Sequence, residues 1–413
     1  MSSNSRTDIH DRSINATYDI TGDIRNVSLG KGNDVFKISG HVRSIDTGDG
    51  NDSITIGGNV DHVNAGRGDD TVKIMGNARH VDLGAGNDQL EVGGNLDHVN
   101  AACGAGDDIV TVGGNLRYAH LGDGNNQITV GGNADCVFTG KNNDKLLVGG
   151  DLRHANLGHG DNCTVVEKNI DTIIGYSGKD YVRAGGDLKT ACLHDGDNVI
   201  LAEGNADNLH TGSGNDRIVV EGDLRYASLG NGNDQVYVAG NVTCSINGGA
   251  NNDSIHVAGN LKHASLGWGD DKLVVLGSID TAQLGAGHDQ AWIGVNEGYL
   301  DASCGNDTVY VGTNKKLIHM GSGDDQLILG SFANKTVVDG GCGNDTLTLI
   351  GDASQFVVQK NKYGGYTDIT DISNGNKMTA WWFEEIKFVA DTPEADIVDL
   401  NFVDDVYSIP CFQ

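Results

Sequence analysis

Two short alternations of apolar and polar residues recur along the chain, about nine residues apart. In one repeat Ile54 and Ile56 mark the first alternation, and Val63 and Ala65 mark the second. Alternation with a period of two is typical of half-buried β-strands. A strand, a tight turn, a second strand and another turn make one coil, and parallel stacking of coils places two sheets face to face. The sequence therefore predicts an all-β fold, a right-handed parallel β-roll or solenoid.

The phrase G-x-G-N/D-D before the first alternation sets the register of the repeats, as in GDGNDSITI at 48–56 and GRGDDTVKI at 66–74. It recurs every 18 residues, with a few steps of 19 or 20 that we interpret as loop insertions. Nearly the whole chain is thus predicted to be one array of about 18 coils. The inward pairs predicted to form its core include Ile54/Ile56, Val72/Ile74, Leu90/Val92, Val236/Val238 and Leu273/Val275.

Composition and charge narrow the class of protein. The 413 residues include 62 Gly and only 2 Pro, which indicates many tight turns with positive φ between short strands. The net charge of −29, from 57 Asp and Glu against 28 Lys and Arg, disfavours nucleic acid and anionic membranes as partners. Cations are the expected counter-charge.

The last position of the G-x-G-N/D-D phrase carries a carboxylate or an amide in every repeat. The amides are Asn126, Asn162 and Asn198, in alternate repeats of the middle third. Ca²⁺ takes six to eight oxygen ligands, and glycine lets turn carbonyls converge without Cβ clashes. The candidate metal-binding aspartates are Asp34, Asp52, Asp70, Asp88, Asp108, Asp144, Asp180, Asp216, Asp234, Asp253, Asp271, Asp289, Asp307, Asp325 and Asp345.

The nonapeptides TGDGNDSIT at 47–55 and LGAGNDQLE at 83–91 resemble the repeats-in-toxin family, whose repeat is GGxGxDxUx. The resemblance implies a parallel β-roll in which these aspartates and the neighbouring turn carbonyls bind Ca²⁺ between adjacent coils. It therefore predicts about 15 or more Ca²⁺ ions as cofactors. Because each Asn removes one negative charge, the coils of Asn126, Asn162 and Asn198 are predicted to be the weak sites, which are filled last or stay empty.

The opposite turn has a different chemistry and is predicted to bind no metal. One polar position should form a ladder that satisfies turn backbone groups. Two residues later the charge alternates from coil to coil, and His62, His80 and His98 are predicted to stack in the next position without a metal-binding role. The ladder is Asn59, Asn77, Asn95, Asn115, Asn133, Asp151, Asn169, Asp187, Asn205, Asp223, Asn241 and Asn260, and the charged row runs from Asp61 and Arg79 to Asp207 and Arg225.

We divide the chain into a polar N-terminal arm at 1–12, the β-roll at 13–349 and a C-terminal cap at 350–413. The segment 356–389 resembles the C-terminal module of secreted repeats-in-toxin proteins, which implies type I export with an uncleaved C-terminal signal. The polar N-terminus, without an apolar leader region, agrees with that route. The eight Cys have no CxxC pairing, and we interpret them as individual small residues.

The sequence contains no catalytic motif, so we predict that the protein is not an enzyme. The leading functional prediction is a secreted structural or adhesive protein that folds on Ca²⁺ and self-assembles. The alternative is a module that binds a glycan or another surface. Ice binding is disfavoured, because the turn position that should repeat one small residue reads Lys31, Asp49, Arg67 and Ala85.

One outward-facing row is predicted to mediate self-association or docking of a partner. This strip row lies between the two core residues of the strand after each aspartate turn, and it changes from polar to largely apolar along the chain. Two alternatives remain: the apolar residues reflect only β-propensity on a surface that tolerates them, or the C-terminal segment covers the row. The strip row comprises Leu147, Val165, Arg183, Leu201, Val219, Tyr237, His256, Val274, Trp292, Tyr310 and Ile328.

Overall fold

The computed structural model describes residues 7–12, 14–101, 106–361, 364–391 and 401–407. These residues form two compact units, one up to Leu193 and one from His194 onward. Both units are built from parallel strands joined by tight turns. The predicted fold class is confirmed, because the chain is an all-β, right-handed parallel solenoid of about 19 turns with a spacing of about 18 residues.

In the first unit the even-numbered strands pair with one another, and so do the odd-numbered strands. Thus β6 lies between β4 and β8, whereas β7 lies between β5 and β9. The strands are β1 (Thr7–His10), β2 (Thr17–Ile20), β3 (Ile24–Ser28), β4 (Val35–Ile38), β5 (Val42–Asp46), β6 (Ser53–Ile56), β7 (Val60–Asn64), β8 (Thr71–Ile74), β9 (Ala78–Asp82), β10 (Gln89–Val92), β11 (Leu96–Asn100), β12 (Ile109–Val112), β13 (Leu116–His120), β14 (Gln127–Val130), β15 (Ala134–Phe138), β16 (Lys145–Val148), β17 (Leu152–His159), β18 (Cys163–Val166), β19 (Ile170–Ser177), β20 (Tyr181–Ala184) and β21 (Leu188–Cys192).

The second unit continues the same construction with some longer strands that run through the turns. It comprises β22 (Val199–Ala202), β23 (Ala206–Ser213), β24 (Arg217–Val220), β25 (Leu224–Asn231), β26 (Gln235–Val238), β27 (Val242–Ala250), β28 (Ser254–Val257), β29 (Leu261–Trp268), β30 (Lys272–Ala286), β31 (Gln290–Cys304), β32 (Thr308–Asn314), β33 (Leu317–His319), β34 (Gln326–Phe332), β35 (Thr336–Asp339), β36 (Thr346–Ile350), a 3₁₀ turn (Ala353–Gln355), β37 (Phe356–Lys360), β38 (Tyr366–Asp371), β39 (Lys377–Trp381), β40 (Glu385–Val389) and α1 (Asn401–Tyr407).

The predicted core ladder is present. Ile54 is in register with Val72, and Ile56 is in register with Ile74. All five of the inward pairs named above are buried. Full burial of such a side chain contributes roughly 1.5–3 kcal/mol, so the stacked pairs supply the main apolar stabilisation.

The second strand of each coil departs from strict alternation. In β7 the buried residues are Val60 and Val63, three apart, and Ala65 is buried just after the strand. Val60 and His62 pair with their equivalents one coil on, whereas Asp61 between them is left out of the register. Asp61 and His62 are both exposed between the buried Val60 and Val63. The charged row therefore pairs unevenly: Lys189 lies 2.5 Å from Asp171, but Arg225 donates to Asn208 instead of Asp207.

The predicted polar ladder is present on the edge opposite the aspartate turns. The backbone N–H of Asn77 donates to Oδ1 of Asn59 at 2.9 Å, and the N–H of Asn95 donates to Oδ1 of Asn77 at 2.8 Å. Aspartate also accepts the bond in this ladder, since the Asn241 N–H donates to Asp223 Oδ1 at 2.7 Å. Each side chain thus satisfies a turn N–H that the parallel sheet leaves unpaired.

Both ends of the chain contribute strands. In the predicted N-terminal arm, β1 pairs in parallel with β3. Beyond the repeats, β37, β38 and β39 form an antiparallel sheet, and β39 and β40 pair in parallel with β35 and β36. These last strands cover backbone edges that a solenoid would otherwise expose.

The helix α1 covers part of the strip row in the second unit. Leu201 and Val219 face away from the core pairs but are fully buried, because Phe402 and Val406 pack on them. The Tyr407 hydroxyl also donates to Glu221 Oε1 at 2.6 Å. The interpretation of this part of the strip row as an exposed surface is therefore wrong, and cover by the C-terminal segment, one of the alternatives, is what the structure shows.

We expect Asn95→Ala to destabilise the protein by about 0.5–1.5 kcal/mol, since it removes the acceptor that the Asn115 N–H donates to at 2.8 Å. Asn95→Asp is the matched control, because Asp223 fills an equivalent position with the same bond. Denaturant unfolding measures both variants. Equal losses in the two variants would contradict a role for the side-chain oxygen.

Candidate metal centre along the aspartate edge

All fifteen candidate aspartates occupy equivalent positions, at the end of a glycine turn and just before a strand. Each is at most 2% exposed. The turn requires glycine: Gly50 has φ +134°, and a Cβ there would lie 2.2 Å from the carbonyl oxygen of Gly32 in the previous coil. Close approach of successive backbones therefore brings the carboxylates and the turn carbonyls to one edge, which we call the aspartate edge.

One oxygen of each carboxylate is used within the ladder. The N–H of Asp34 donates to Oδ1 of Asp52 at 2.7 Å, and the N–H of Asp52 donates to Oδ1 of Asp70 at 2.7 Å. The same bond recurs in the second unit, where the Asp325 N–H donates to Oδ1 of Asp345 at 2.9 Å. Each Oδ1 thus fixes the orientation of its carboxylate relative to the next coil.

The other oxygen has no such bond. Among the described residues, a series of buried Oδ2 atoms lacks any hydrogen-bond partner, and an unpaired buried carboxylate oxygen is costly. These atoms belong to Asp34, Asp52, Asp70, Asp88, Asp144, Asp216, Asp234, Asp253, Asp271, Asp289, Asp307, Asp325 and Asp345.

Asn126 shows what surrounds this position. Its Oδ1 accepts from the N–H of Asp108 at 3.1 Å, as the aspartate Oδ1 atoms do, so its Nδ2 stands where aspartate has Oδ2. Nδ2 donates to the carbonyl oxygens of Gly122 at 3.2 Å, Gly124 at 3.2 Å and Thr139 at 3.1 Å. The equivalent site of an aspartate coil therefore collects a carboxylate oxygen and turn carbonyls with no proton donor between them.

Burial raises the pKa of these carboxyl groups. Desolvation is the largest cause, opposed by the backbone hydrogen bond to Oδ1, and it brings the pKa of Asp70, Asp144 and Asp216 to about 7. For Asp253 and Asp307 the pKa rises to about 8. In the absence of a cation, these carboxyl groups therefore keep their protons to a higher pH than an ordinary aspartate does.

The donor set suits a hard cation. Within the described residues, no cluster of three or more His, Cys, Asp or Glu side chains could hold a metal ion, so binding here depends on carbonyl oxygens as well as a carboxylate. Ca²⁺ accepts such mixed oxygen ligands in flexible geometry, whereas Zn²⁺ prefers nitrogen and sulfur. The residues thus fit Ca²⁺, as their pattern predicts.

Two features of this edge were not predicted. The residue before each aspartate forms a second ladder, in which Asn51 N–H donates to Asn33 Oδ1 at 2.9 Å and Asp69 N–H donates to Asn51 Oδ1 at 3.0 Å. The Asn or Asp at the N/D position of the repeat phrase indicates this second ladder. The aspartate ladder also ends on Glu384, whose Oε2 accepts from the Asp345 N–H at 2.7 Å.

The histidine row stacks as predicted. The rings of His62 and His80 are 5.0 Å apart and nearly parallel, at 6°, and the row continues through His98 to Tyr118. A metal lies in the plane of each imidazole that binds it, about 2 Å from the nitrogen, so parallel rings at this spacing share no ligand position. This arrangement favours the structural interpretation of the row.

One cysteine differs from its interpretation as a small individual residue, because Cys163 is disulfide-bonded. Cys136, Cys192, Cys244, Cys304 and Cys342 have free thiols. None of the helices in the described ranges has the length and apolar character needed to cross a membrane.

No family model matches the chain, and no curated protein matches it, so the resemblance to the repeats-in-toxin family depends on the motifs alone. A solved structure, a hyperactive, Ca²⁺-dependent, β-helical antifreeze protein from an Antarctic bacterium, is similar with 20% identity and a TM-score of 0.27. The match covers 95% of this chain and 97% of that one.

The raised pKa values predict an unusual pH dependence for metal-depleted protein. An unfolded Asp keeps a pKa near 3.8, whereas folded Asp144 has about 7, so between these values only the folded state holds the proton. The free energy of unfolding should therefore fall as the pH rises from about 4 through about 7. Thermal denaturation followed by circular dichroism should show a lower midpoint at pH 8 than at pH 5.

Asp144→Asn should reduce this pH dependence, because the amide does not titrate. The exposed Asp135→Asn is the control and should leave it unchanged. A midpoint that rises with pH in metal-depleted protein would contradict the assignment of the raised pKa values.

Proposed function

We propose that this chain is an extracellular, calcium-binding structural protein whose coils are held together by Ca²⁺ along the aspartate edge. The supporting observation is the buried carboxylate Oδ2 beside turn carbonyls, without a hydrogen-bond partner and repeated in coil after coil of the described residues. Either a proton or a cation satisfies this oxygen. At neutral pH a proton held with a pKa of about 7 is readily displaced by a divalent cation.

The chemistry of the sites supports an extracellular location. Each site offers few carboxylates. Ca²⁺ affinity falls as the number of charged ligands falls, and Kd values of about 10⁻⁴–10⁻³ M are typical of extracellular modules. The net charge of −29 also requires counter-ions for a compact state. The disulfide at Cys163 is typical of an oxidising compartment. Since the buried carboxylates serve the cation, the proposed function is structural and not enzymatic.

Self-association through the remaining strip row is part of this proposal. Tyr237 packs against the cluster under α1, and Val274 and Tyr310 are buried, so these residues of the strip row are not available as an exposed surface. The strip row still presents His256 and Trp292 as partly exposed side chains. The ring of Trp292 stacks on that of Tyr310 at 3.8 Å. Aromatic side chains in a regular row are enriched in protein interfaces, which supports a second copy of the chain as the partner.

A surface-binding module is the second candidate. In the first unit a groove of about 570 Å³ runs along β7, β9 and β11, between the stacked imidazoles of His62, His80 and His98 and the polar row that includes Asp46 and Asp82. Its donors and acceptors repeat with the coils, as a linear polysaccharide would require. Retention on a polysaccharide column by monomeric protein would favour this candidate over self-assembly.

Ice binding remains disfavoured by the residues at the turns. In the first unit, the turn row carries ion pairs such as Lys31 with Asp49 at 3.3 Å and Lys141 with Asp123 at 3.0 Å. An ice-binding surface is expected to repeat one small side chain instead. Activity in an ice-recrystallisation assay would overturn this choice.

Removal of Ca²⁺ at pH 8 is expected to unfold most of the solenoid, because most of the buried carboxyl groups then lose their protons as well and the uncompensated carboxylates repel one another. Far-UV circular dichroism and size-exclusion chromatography with Ca²⁺, with Mg²⁺ and with chelator measure the change. Asp271→Ala should raise the Ca²⁺ concentration needed for folding, whereas Asp280→Ala, an exposed aspartate on the other edge, should not. An unchanged spectrum and radius in chelator would reject the proposed function.

Replacement of both His256 and Trp292 by Thr is expected to abolish self-association and leave Ca²⁺-dependent folding intact. Sedimentation velocity gives the assembly state, and circular dichroism gives the folding. The control exchanges polar outward residues of the same row, Lys37→Thr with Thr55→Lys. A monomeric wild-type protein, or an assembly that survives the double replacement, would rule out this surface.

A further inference from the structure

Asn198 repeats the arrangement of Asn126 in the second unit. Its Nδ2 lies 2.9 Å from the carbonyl oxygen of Gly196, 3.1 Å from that of Thr211 and 3.5 Å from that of His194. These acceptors have the same sequence spacing from the asparagine as those of Asn126: two and four residues before it and thirteen after it. Two asparagines in separate units thus place an amide donor on the same set of turn carbonyls.

Asn162 also donates to a turn carbonyl, but its second hydrogen-bond acceptor is a carboxylate. Its Oδ1 accepts from the N–H of Asp144 at 2.9 Å, so its orientation matches the rest of the ladder. Its Nδ2 donates to the carbonyl oxygen of Gly160 and to Oδ1 of Asp180, both at 2.9 Å. The amide therefore donates a hydrogen bond to a neighbouring buried carboxylate as well as to a turn carbonyl.

We infer that Asn126, Asn162 and Asn198 occupy the place of a cation, so that their coils are joined by hydrogen bonds and take no Ca²⁺. The inference rests on the proposed function, because it assigns which members of the aspartate edge bind the ion. An amide supplies N–H donors to the carbonyls and carries no charge, so its burial leaves no carboxylate to neutralise. A divalent cation entering this position would meet these N–H groups instead of a free oxygen. These coils are closed to the metal and are not weak sites.

The placement of the amides gives the first unit two kinds of region. Around residues 48–92 every coil has an aspartate and depends on a cation. Around residues 122–166, Asn126 and Asn162 alternate with Asp144. We call the hydrogen bonds from the Nδ2 atoms of these two asparagines amide clamps. After metal removal, the second region keeps clamps that the first region loses. It should therefore retain local structure and provide a segment on which the remaining coils refold when Ca²⁺ returns.

The experiment compares bound ions and backbone hydrogen exchange in wild-type protein and in Asn126→Asp. Native mass spectrometry in Ca²⁺ should show one additional ion in the variant. In chelator, amides at 122–166 should exchange more slowly than those at 48–92 in the wild type. Their exchange in Asn126→Asp should be faster by about fivefold or more, since a buried oxygen has lost its partner. Asn133→Asp, on the opposite edge where aspartate also occurs, is the matched control and should change neither readout.

Asp144→Asn tests the inference in the opposite direction and avoids a destabilised variant. It should bind one ion fewer and exchange more slowly at 122–166 in chelator. Ca²⁺ binding with unchanged ion counts in both variants would overturn the inference while the proposed function stands. If the wild type binds no Ca²⁺, the proposed function fails, and exchange in chelator decides the inference alone: faster exchange in Asn126→Asp supports it, and equal rates overturn it.

Discussion

The structure depends on one electrostatic constraint, which is the convergence of several oxygen atoms at every turn of the aspartate edge. Glycine turns allow successive backbones to approach so closely that carbonyl oxygens and a carboxylate oxygen meet without a donor. Such a group of lone pairs is repulsive unless something positive lies among them. A cation, a proton on the carboxyl group and an amide N–H are the three available solutions. The chain shows the amide directly at Asn126, and the raised pKa of Asp144 shows the cost where it is absent.

The ladders that surround this constraint explain why the repeat is so regular. Three polar rows each donate or accept one hydrogen bond per coil, as Asp52, Asn51 and Asn77 do with their equivalents 18 residues away. An insertion inside one of these rows would break its hydrogen bonds and displace the core pair Ile54 and Ile56. Extra residues are therefore tolerated only between the rows. For example, the coil after Asp88 has two extra residues, yet the Asp88 N–H still donates to Asp108 Oδ1, 20 residues later, at 2.9 Å.

The sequence was sufficient for the features that repeat and insufficient for those that occur once. Core pairs, the aspartate row and the asparagine ladder follow from side-chain type and period alone. The three-residue spacing of the buried Val60 and Val63 could not be predicted, because it departs from the alternation on which the prediction was based. Glu384 is 39 residues from Asp345 and lies outside the repeat, so no period points to it. The cover of the strip row by α1 also joins segments far apart in sequence.

The asparagines show why residue chemistry alone gave only half of the answer for the aspartate edge. Counting charges ranks Asn126 as a poorer cation ligand than aspartate, which is correct for an isolated site. The ladder removes that freedom, because the Asp108 N–H holds Oδ1 and thereby turns Nδ2 toward the carbonyls. The same backbone bond turns Oδ2 of each aspartate toward those carbonyls. Under the proposed function, one fixed orientation therefore makes aspartate dependent on a cation and asparagine independent of it. The choice between the two residues sets, coil by coil, how strongly the fold depends on its surroundings.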